Sequence, residues 1–221
     1  MSLLKRILFQ GDSITDCGRS RTQKLPNLHL GTGYPHLIAA RLCCDSNEYE
    51  IRNRAVSGDR IADTYARWIE DTLNLDFDIL SILHGMNDVG FAFRLNMGSA
   101  RPRYRSIYDR MLTEVEEAKP GVRLVLMEPF LLPVDQGPDV EYKNDIYLDF
   151  DRWFGEIKER GAIVKELAAA HGAIFVPIAD ELLAAAEKFG AEHFSPDCIH
   201  PSPAGHELIA RRWIECCKDI L

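Results

Sequence analysis

The stretch LFQGDSITDCGRS, residues 8–20, joins a short apolar run to a polar turn, and this junction decides the fold. The apolar run ends at Gly11, and four polar side chains follow closely: Asp12, Ser13, Thr15 and Asp16. A buried strand that passes into a polar helix entry is typical of sheets whose strands are connected by helices. The same turn could present Ser13 as a nucleophile, which would require a base from another part of the chain.

Short apolar runs alternate with helical periodicity along the rest of the chain. Five runs bounded by glycine, proline or polar residues are predicted to be strands, at 6–9, 50–53, 79–83, 123–127 and 173–176. Helical patterns are predicted at 34–42, 61–72, 104–119, 149–171 and 203–218. This alternation predicts an α/β fold, a three-layer sandwich around a five-stranded parallel sheet.

Three segments carry no clear helix or strand pattern: 18–33, 89–103 and 128–144. They follow the first, third and fourth predicted strands, so we expect them to gather over the carboxyl edge of the sheet. Open α/β sheets bind their ligands at that edge. We therefore expect these segments to be loops that surround a ligand-binding site.

The composition excludes several classes of protein. The 221 residues favour one domain, 1–221, and the net charge of −8 argues against a nucleic acid partner. One basic run has two interpretations, a solvated loop and helix face or an anion contact: Arg101, Arg103, Arg105 and Arg110. No apolar stretch approaches the ~20 residues that span a bilayer, so no membrane partner is expected.

The cysteines and the first residues indicate the compartment. Six cysteines show no CxxC or zinc-like spacing, and the pairs at 43–44 and 216–217 lie in apolar helical patterns. We expect them to be buried, reduced thiols. Residues 1–10 are too quickly polar for a secretory signal, and a cytoplasmic location is expected.

A candidate base lies in SPDCIHPSPAGHELIA, residues 195–210. Prolines keep this segment out of a helix until about Pro203, so Asp197 and His200 are predicted to lie on a stiff loop. A carboxylate three residues from an imidazole can bond Nδ1–H and leave the other nitrogen free to take a serine proton. The alternative is that Asp197 caps a turn and His200 packs against the last helix.

Two further strand ends offer hydrogen-bond donors. NRAVSGDR, residues 53–60, places Gly58 after the second strand, and LHGMNDVG, residues 83–90, places Asn87 after the third. A backbone N–H at Gly58 and the amide of Asn87 could stabilise an oxyanion. Taken singly, each could instead serve a turn. Their occurrence in one order with the serine and the Asp-x-x-His pair makes coincidence improbable.

These four blocks resemble the SGNH hydrolases, the GDSL-type esterase and lipase superfamily. The blocks span nearly the whole chain, with Ile14 in place of the usual leucine after the serine. The resemblance implies a flavodoxin-like fold with Ser13 as nucleophile, His200 as general base and Asp197 as its orienting partner. It also implies an oxyanion hole formed by the backbone N–H groups of Ser13 and Gly58 and the side chain of Asn87. No metal or cofactor is expected.

Longer stretches narrow the resemblance to intracellular bacterial acetylxylan esterases: 11–21, 30–42 and 199–213. The implied substrate is a small acyl ester, above all an O-acetyl group on carbohydrate, and a homo-oligomer is compatible with the resemblance. One departure is Phe194-Ser195-Pro196 before the Asp-x-x-His pair, where a tryptophan would be expected. The source of a sugar-stacking aromatic therefore stays open.

Several residues near the predicted strand ends are candidates for substrate contact: Asp12, Arg19, His84, Phe91 and Phe130. Each also has a structural interpretation. Asp12 could hold the nucleophile turn, Arg19 and Asp16 could stabilise the first turn of the following helix, and His84 could be a hydrogen-bonded histidine at the end of a buried strand. The aromatic residues, with Phe93, Tyr104 and Tyr142, could simply pack. Cys17 has no base arranged for it in the sequence.

Two other functions remain as alternatives. A lysophospholipase or acyl-thioesterase of the same superfamily would use the same blocks. Segment 128–144 argues against this alternative, because it is too acidic to form a hydrophobic lid. A non-catalytic module of this fold could bind an anion through the turn amides and the arginine run. Such a module would have no reason to keep Ser13, Asp197 and His200 together.

Overall fold

Five parallel strands form the centre of the computed structural model, which describes residues 4–22, 25–134 and 149–221. They are β1 (Lys5–Gly11), β2 (Tyr49–Asn53), β3 (Ile79–Leu83), β4 (Arg123–Met127) and β5 (Ile174–Val176). The strand order is β2-β1-β3-β4-β5, and every neighbouring pair is parallel. The predicted five-stranded parallel sheet is confirmed.

Helices connect these strands. They are α1 (Ser13–Asp16), α2 (Tyr34–Asp45), α3 (Ile61–Ala66), α4 (Met86–Leu95), α5 (Arg101–Ala118), α6 (Phe150–Ala170), α7 (Ala179–Phe189), α8 (Ala191–Phe194) and α9 (Pro203–Cys217). No helix of the described segments is long and apolar enough to cross a membrane.

The secondary-structure predictions need three corrections. The pattern at 61–72 is two elements, α3 and a π-helical turn at Ile69–Leu73, separated by Arg67 and the buried Trp68. Segment 89–103 is not a loop, because α4 extends to Leu95 and α5 begins at Arg101. Helices α7 and α8 had no predicted counterpart. Residues 135–144 of the third expected loop lie outside the described residues.

Both faces of the sheet are covered by helices, because successive side chains of each buried strand point to opposite faces. In β1, Ile7 and Phe9 belong to a core shared with residues of α2, α7 and α9, whereas Leu8 faces residues of α3 and α5. Helix α6 contributes to both cores. These layers form the predicted α/β sandwich.

The strand order brings the predicted site residues together. The chain leaves β1 towards β2 on one side and enters β3 on the other, so a crevice opens between the carboxyl ends of β1 and β3. Ser13 directly follows β1, and Asn87 lies in the first turn of α4 directly after β3.

The arginine run and the cysteines have defined environments. On α5, Arg101 bonds Glu156 and Glu159 of α6, and Arg105 bonds Glu166. This part of the run therefore forms ion pairs between helices. The six cysteines all lie in the described segments and none of them forms a disulfide, but Cys44 is exposed and Cys43 and Cys216 are half-buried, which corrects the expectation that both pairs are buried.

Candidate active site

The turn after β1 presents Ser13 at the start of a four-residue helix. Asp12 caps this helix, since its Oδ1 accepts the N–H of Ile14 at 3.1 Å. Gly11 is required by space, because a Cβ at this position would lie 2.3 Å from Thr15 Oγ1 and 2.7 Å from the carbonyl oxygen of Leu83. The turn therefore holds the Ser13 hydroxyl at the carboxyl edge of the sheet.

The loop before α9 brings His200 and Asp197 to this hydroxyl. Ser13 Oγ lies 2.9 Å from His200 Nε2, and His200 Nδ1 lies 2.6 Å from Asp197 Oδ2. The other carboxylate oxygen of Asp197 accepts the backbone N–H groups of Ile199, at 3.0 Å, and of His200, at 2.7 Å. Because an ionised carboxylate only accepts, Nδ1 carries the proton and Nε2 is free to accept from Ser13.

The charges of this pair reinforce each other. The Asp197 carboxylate raises the pKa of His200, against the effect of burial. Burial would raise the pKa of Asp197, but hydrogen bonds from the His200 ring and backbone hold it below its ordinary value. The arrangement can thus accept a proton from Ser13 and stabilise the resulting imidazolium.

Gly58 lies in a turn that follows β2 and is tied to the nucleophile turn, because the N–H of Val56 donates to the carbonyl oxygen of Gly11 at 3.0 Å. The N–H of Asp59 bonds the carbonyl oxygen of Val56 at 3.1 Å, and Gly58 occupies the third position with φ of 88°. This position requires a positive φ, which glycine adopts without strain. Among the described residues, the backbone N–H groups of Ser13 and Gly58 have no protein acceptor. Both are therefore available to a ligand.

Asn87 is held by the same turn. Its Nδ2 donates to the carbonyl oxygen of Asp59 at 3.0 Å, so one of the two amide hydrogens remains available. The neighbouring Asp88 is buried and its Oδ2 accepts the N–H of Ile61 at 3.0 Å, which joins the start of α4 to the start of α3. Burial raises the pKa of Asp88 to about 6.

Asp16 and Arg19 join the nucleophile turn to the Gly58 turn. Asp16 is buried; its carboxylate accepts the N–H groups of Arg19, at 3.1 Å, and Ser57, at 2.7 Å, and pairs with the guanidinium of Arg21. Arg19 is also buried, and its Nε donates to the carbonyl oxygen of Ala55 at 2.6 Å. Burial lowers the pKa of Arg19 to about 10. The contacts of both side chains are thus made within the protein.

The remaining contact candidates are placed differently. His84 is 1% exposed, and its Nε2 lies 2.9 Å from Thr64 Oγ1. Burial lowers the pKa of His84 to about 3, so the ring is neutral at pH 7. Phe130 is 1% exposed and lies in the core, whereas Phe91 is half-buried with the guanidinium of Arg60 over its ring, 5.7 Å from the centroid.

The other predicted aromatic residues are also accounted for by packing where they are described. Phe93 packs edge-to-face on Trp153, with ring centroids 5.3 Å apart. Tyr104 is fully buried in α5, and its hydroxyl donates to the carbonyl oxygen of His84 at 2.9 Å. Phe194, before the Asp-x-x-His pair, is buried in the core. Tyr142 lies outside the described residues.

Cys17 has a histidine neighbour that the sequence did not reveal. His206 Nε2 lies 3.4 Å from Cys17 Sγ, while His206 Nδ1 accepts the N–H of Tyr34 at 3.2 Å. Nδ1 therefore lacks a proton and Nε2 donates to the sulfur. Burial lowers the pKa of His206 to about 4, so the neutral ring acts as a donor, and no base for Cys17 results.

Sequence reasoning also missed Asp59 and Thr64, which contact Asn87 and His84. Only the proximity of Asp59 to Gly58 could have drawn attention to it, because no periodicity links either residue to a strand end. Their role depends on contacts between α3 and the ends of β2 and β3, which a linear pattern does not encode.

Comparisons with known proteins show the family of this chain. The model of the GDSL-like lipase/acylhydrolase family matches residues 9–208. An acetylxylan esterase from Geobacillus stearothermophilus is 31% identical over 215 residues, which covers 95% of this chain and 92% of the relative. These similarities and the fold define the protein as a carboxylic ester hydrolase.

Solved structures lead to the same family. A GDSL-like protein from Parabacteroides merdae is 31% identical and superposes with a TM-score of 0.87, covering 99% of this chain and 97% of that one. A catalytic serine-to-alanine mutant of the Geobacillus stearothermophilus acetylxylan esterase is 25% identical with a TM-score of 0.84, covering 98% and 95%. The chain belongs to the GDSL-like lipase/acylhydrolase family, and the resemblance predicted from the sequence is confirmed.

Proposed function

We propose that this hydrolase is a serine esterase that removes short acyl groups, chiefly O-acetyl groups carried by carbohydrate. The proposal rests on two consecutive hydrogen-bond contacts. Ser13 Oγ lies 2.9 Å from His200 Nε2, and His200 Nδ1 lies 2.6 Å from Asp197 Oδ2. Nucleophile, base and orienting carboxylate are at hydrogen-bond distance without any rearrangement.

The geometry supports an acyl-enzyme mechanism. Ser13 Oγ attacks the ester carbonyl as His200 Nε2 takes its proton, and Asp197 stabilises the imidazolium. The oxyanion is bound by the backbone N–H groups of Ser13 and Gly58 and by the second amide hydrogen of Asn87. His200 then protonates the leaving alcohol, and a water molecule releases the acid from Ser13 by the same steps.

The substrate class is supported by the surface position of the site and by the relatives. The side chains of His200 and Asp197 are 49% and 39% exposed, so a bulky alcohol can remain in solvent while a small acyl group reaches Ser13. An acetylxylan esterase is 31% identical along 95% of the chain. The six cysteines, all within the described residues and none in a disulfide, support a reducing compartment, for which we propose the cytoplasm.

Hydrolysis assays with matched serine variants test the proposal. We expect p-nitrophenyl acetate to be cleaved faster than the octanoate, and acetate to be released from acetylated xylo-oligosaccharides but no fatty acid from lysolipid. Ser13→Ala should lower kcat by at least about 10³-fold with an unchanged melting temperature. Ser106→Ala, on the exposed face of α5, should behave as wild type. Persistent turnover by Ser13→Ala would refute the serine mechanism, and a preference for lysolipid would refute the substrate class.

A further inference from the structure

Asp59 lies between the two oxyanion donors that follow β2 and β3. Its backbone N–H closes the turn that contains Gly58, and its carbonyl oxygen accepts from Asn87 Nδ2 at 3.0 Å. Any movement of Asp59 therefore shifts the Gly58 N–H and rotates the Asn87 amide together. The position of both donors therefore depends on the contacts that hold Asp59.

The side chain of Asp59 is fixed by helix α3 and the residue after it. Asp59 Oδ2 accepts from Thr64 Oγ1 at 3.0 Å and from Arg67 Nε at 2.7 Å. Arg67 also donates to the carbonyl oxygen of Arg54 at 2.9 Å, at the end of β2. The carboxylate is consequently tied to both elements that flank its turn.

The proton positions in the next contact follow from the donor inventory. The Thr64 hydroxyl has one hydrogen, and the Asp59 carboxylate can only accept, so that hydrogen is directed to Asp59. The contact of 2.9 Å between Thr64 Oγ1 and His84 Nε2 must then be donated by Nε2–H. This assigns the tautomer of His84, whose buried Nδ1 has no protein partner among the described residues.

His84 stands at the start of the segment that carries Asn87. It follows β3 directly, and its carbonyl oxygen accepts the Tyr104 hydroxyl at 2.9 Å. One end of the line His84–Thr64–Asp59 is thus covalently three residues from Asn87, and the other end bonds the Asn87 amide. The contacts from His84 through Thr64 and Asp59, together with the chain from His84 to Asn87, therefore form a closed circuit that includes the Asn87 amide.

We propose that His84 is a positioning residue that acts through Thr64 and Asp59 to hold the Asn87 amide and the Gly58 N–H in register for the oxyanion. His84 touches no substrate in this role. The inference rests on the proposed serine esterase mechanism, because His84 has a positioning role only if Asn87 binds the oxyanion. Donors fixed before the reaction contribute most when they need no reorganisation.

The test breaks the line at its centre with a variant of nearly the same shape. Thr64→Val removes the hydroxyl, and Thr64→Ser restores it. With p-nitrophenyl acetate we expect Thr64→Val to lower kcat about tenfold with KM within about twofold, because only the transition state carries the oxyanion. Thr64→Ser should remain within about twofold of wild type.

A double-mutant cycle with Asn87→Ala shows whether the effect passes through the amide. We expect Thr64→Val to lower kcat less than about twofold in the Asn87→Ala background, because the positioned group is already absent. An equal loss in both backgrounds, or an unchanged kcat in Thr64→Val, overturns the inference. If Thr64→Val does not fold, His84→Gln, which keeps a donor, is compared with His84→Met, which has none. Equal kcat values for His84→Gln and His84→Met would also overturn the inference.

The cycle separates this inference from the proposed function. Full activity in Ser13→Ala refutes the esterase mechanism whatever the Thr64 variants do. Full activity in Asn87→Ala with an inactive Ser13→Ala refutes the oxyanion role of Asn87. Impaired Ser13→Ala and Asn87→Ala variants beside a fully active Thr64→Val variant refute the positioning role alone.

Discussion

Replacing Asp197 by asparagine should reverse the proton arrangement of His200 while preserving the loop. In the protein, Oδ1 accepts two backbone N–H groups at 3.0 and 2.7 Å, and Oδ2 accepts from His200 Nδ1 at 2.6 Å. In Asp197→Asn the amide oxygen stays with the two N–H groups, so the amide nitrogen faces Nδ1. Nδ1 must then accept, Nε2 carries the proton, and Ser13 loses its base.

The size of this effect follows from the exposure of the pair. The same exchange in the Ser-His-Asp triad of trypsin lowers kcat about 10⁴-fold. Here the side chains of Asp197 and His200 are 39% and 49% exposed, so water can partly restore the productive tautomer. We therefore expect a loss of about 10³-fold, which corresponds to about 4 kcal/mol in activation free energy.

Activity, melting temperature and pH profile are measured for Asp197→Asn and Asp197→Ala. The alanine variant also removes the acceptor of two backbone N–H groups, so it should lose about 1–2 kcal/mol of stability, whereas asparagine should not. Because Asp197 raises the pKa of His200, the acid limb of wild-type activity should lie above ~6.5 and move to lower pH in both variants. A well-folded Asp197→Asn with kcat within about tenfold of wild type would refute the reasoning.

Two stability predictions concern the nucleophile turn. Burial raises the pKa of Asp12 to about 7 from 3.8, so its stabilising contribution is complete below pH 3.8 and is lost as pH rises to about 7. Asp12→Asn keeps the cap without this loss, so its free energy of unfolding relative to wild type should increase by as much as about 4 kcal/mol between pH 4 and 8. Urea unfolding at several pH values measures this difference, and a difference that stays constant with pH would contradict the prediction. Gly11→Ala should cost about 1–3 kcal/mol, because the added Cβ meets Thr15 Oγ1 at 2.3 Å. Gly155→Ala, in α6, should gain up to about 1 kcal/mol, because outside the neighbouring backbone of its own helix no atom lies within 4 Å of the added Cβ. Equal melting temperatures for Gly11→Ala and Gly155→Ala would count against the packing argument.

The sheet was predictable because most of its strands, such as β3 and β4, are short apolar runs with a clear stop. Helix α4 was not predicted, and Gly90 in its middle explains why. A Cβ there would lie 3.2 Å from the ring of Trp153, so close packing of α4 on α6 requires a residue that weakens the helical signal. Helix α7 did carry a signal, since ADELLAAAEKF is rich in helix formers with acidic residues in its first turn.

The candidate site was predictable where chemistry is concentrated in short blocks at strand ends. Ser13 and Asn87 follow β1 and β3, whose carboxyl ends lie at one edge of the sheet, whereas Asp197 and His200 reach this edge on the loop between α8 and α9. The tie from Asp16 to the N–H of Ser57 and the contact of Cys17 with His206 have no such pattern. They arise from side chains that meet only after the loops have packed, so the sequence alone could not reveal them.

The buried Asp12 carboxylate links the stability of the nucleophile turn to its chemistry. Its desolvation opposes folding above pH 4, and an asparagine could cap the same helix without that cost. The same negative charge, however, raises the pKa of His200 together with Asp197. A higher pKa favours the imidazolium that forms when Ser13 gives up its proton. An aspartate that destabilises the turn therefore strengthens the base beside it, and Asp12→Asn should exchange activity for stability.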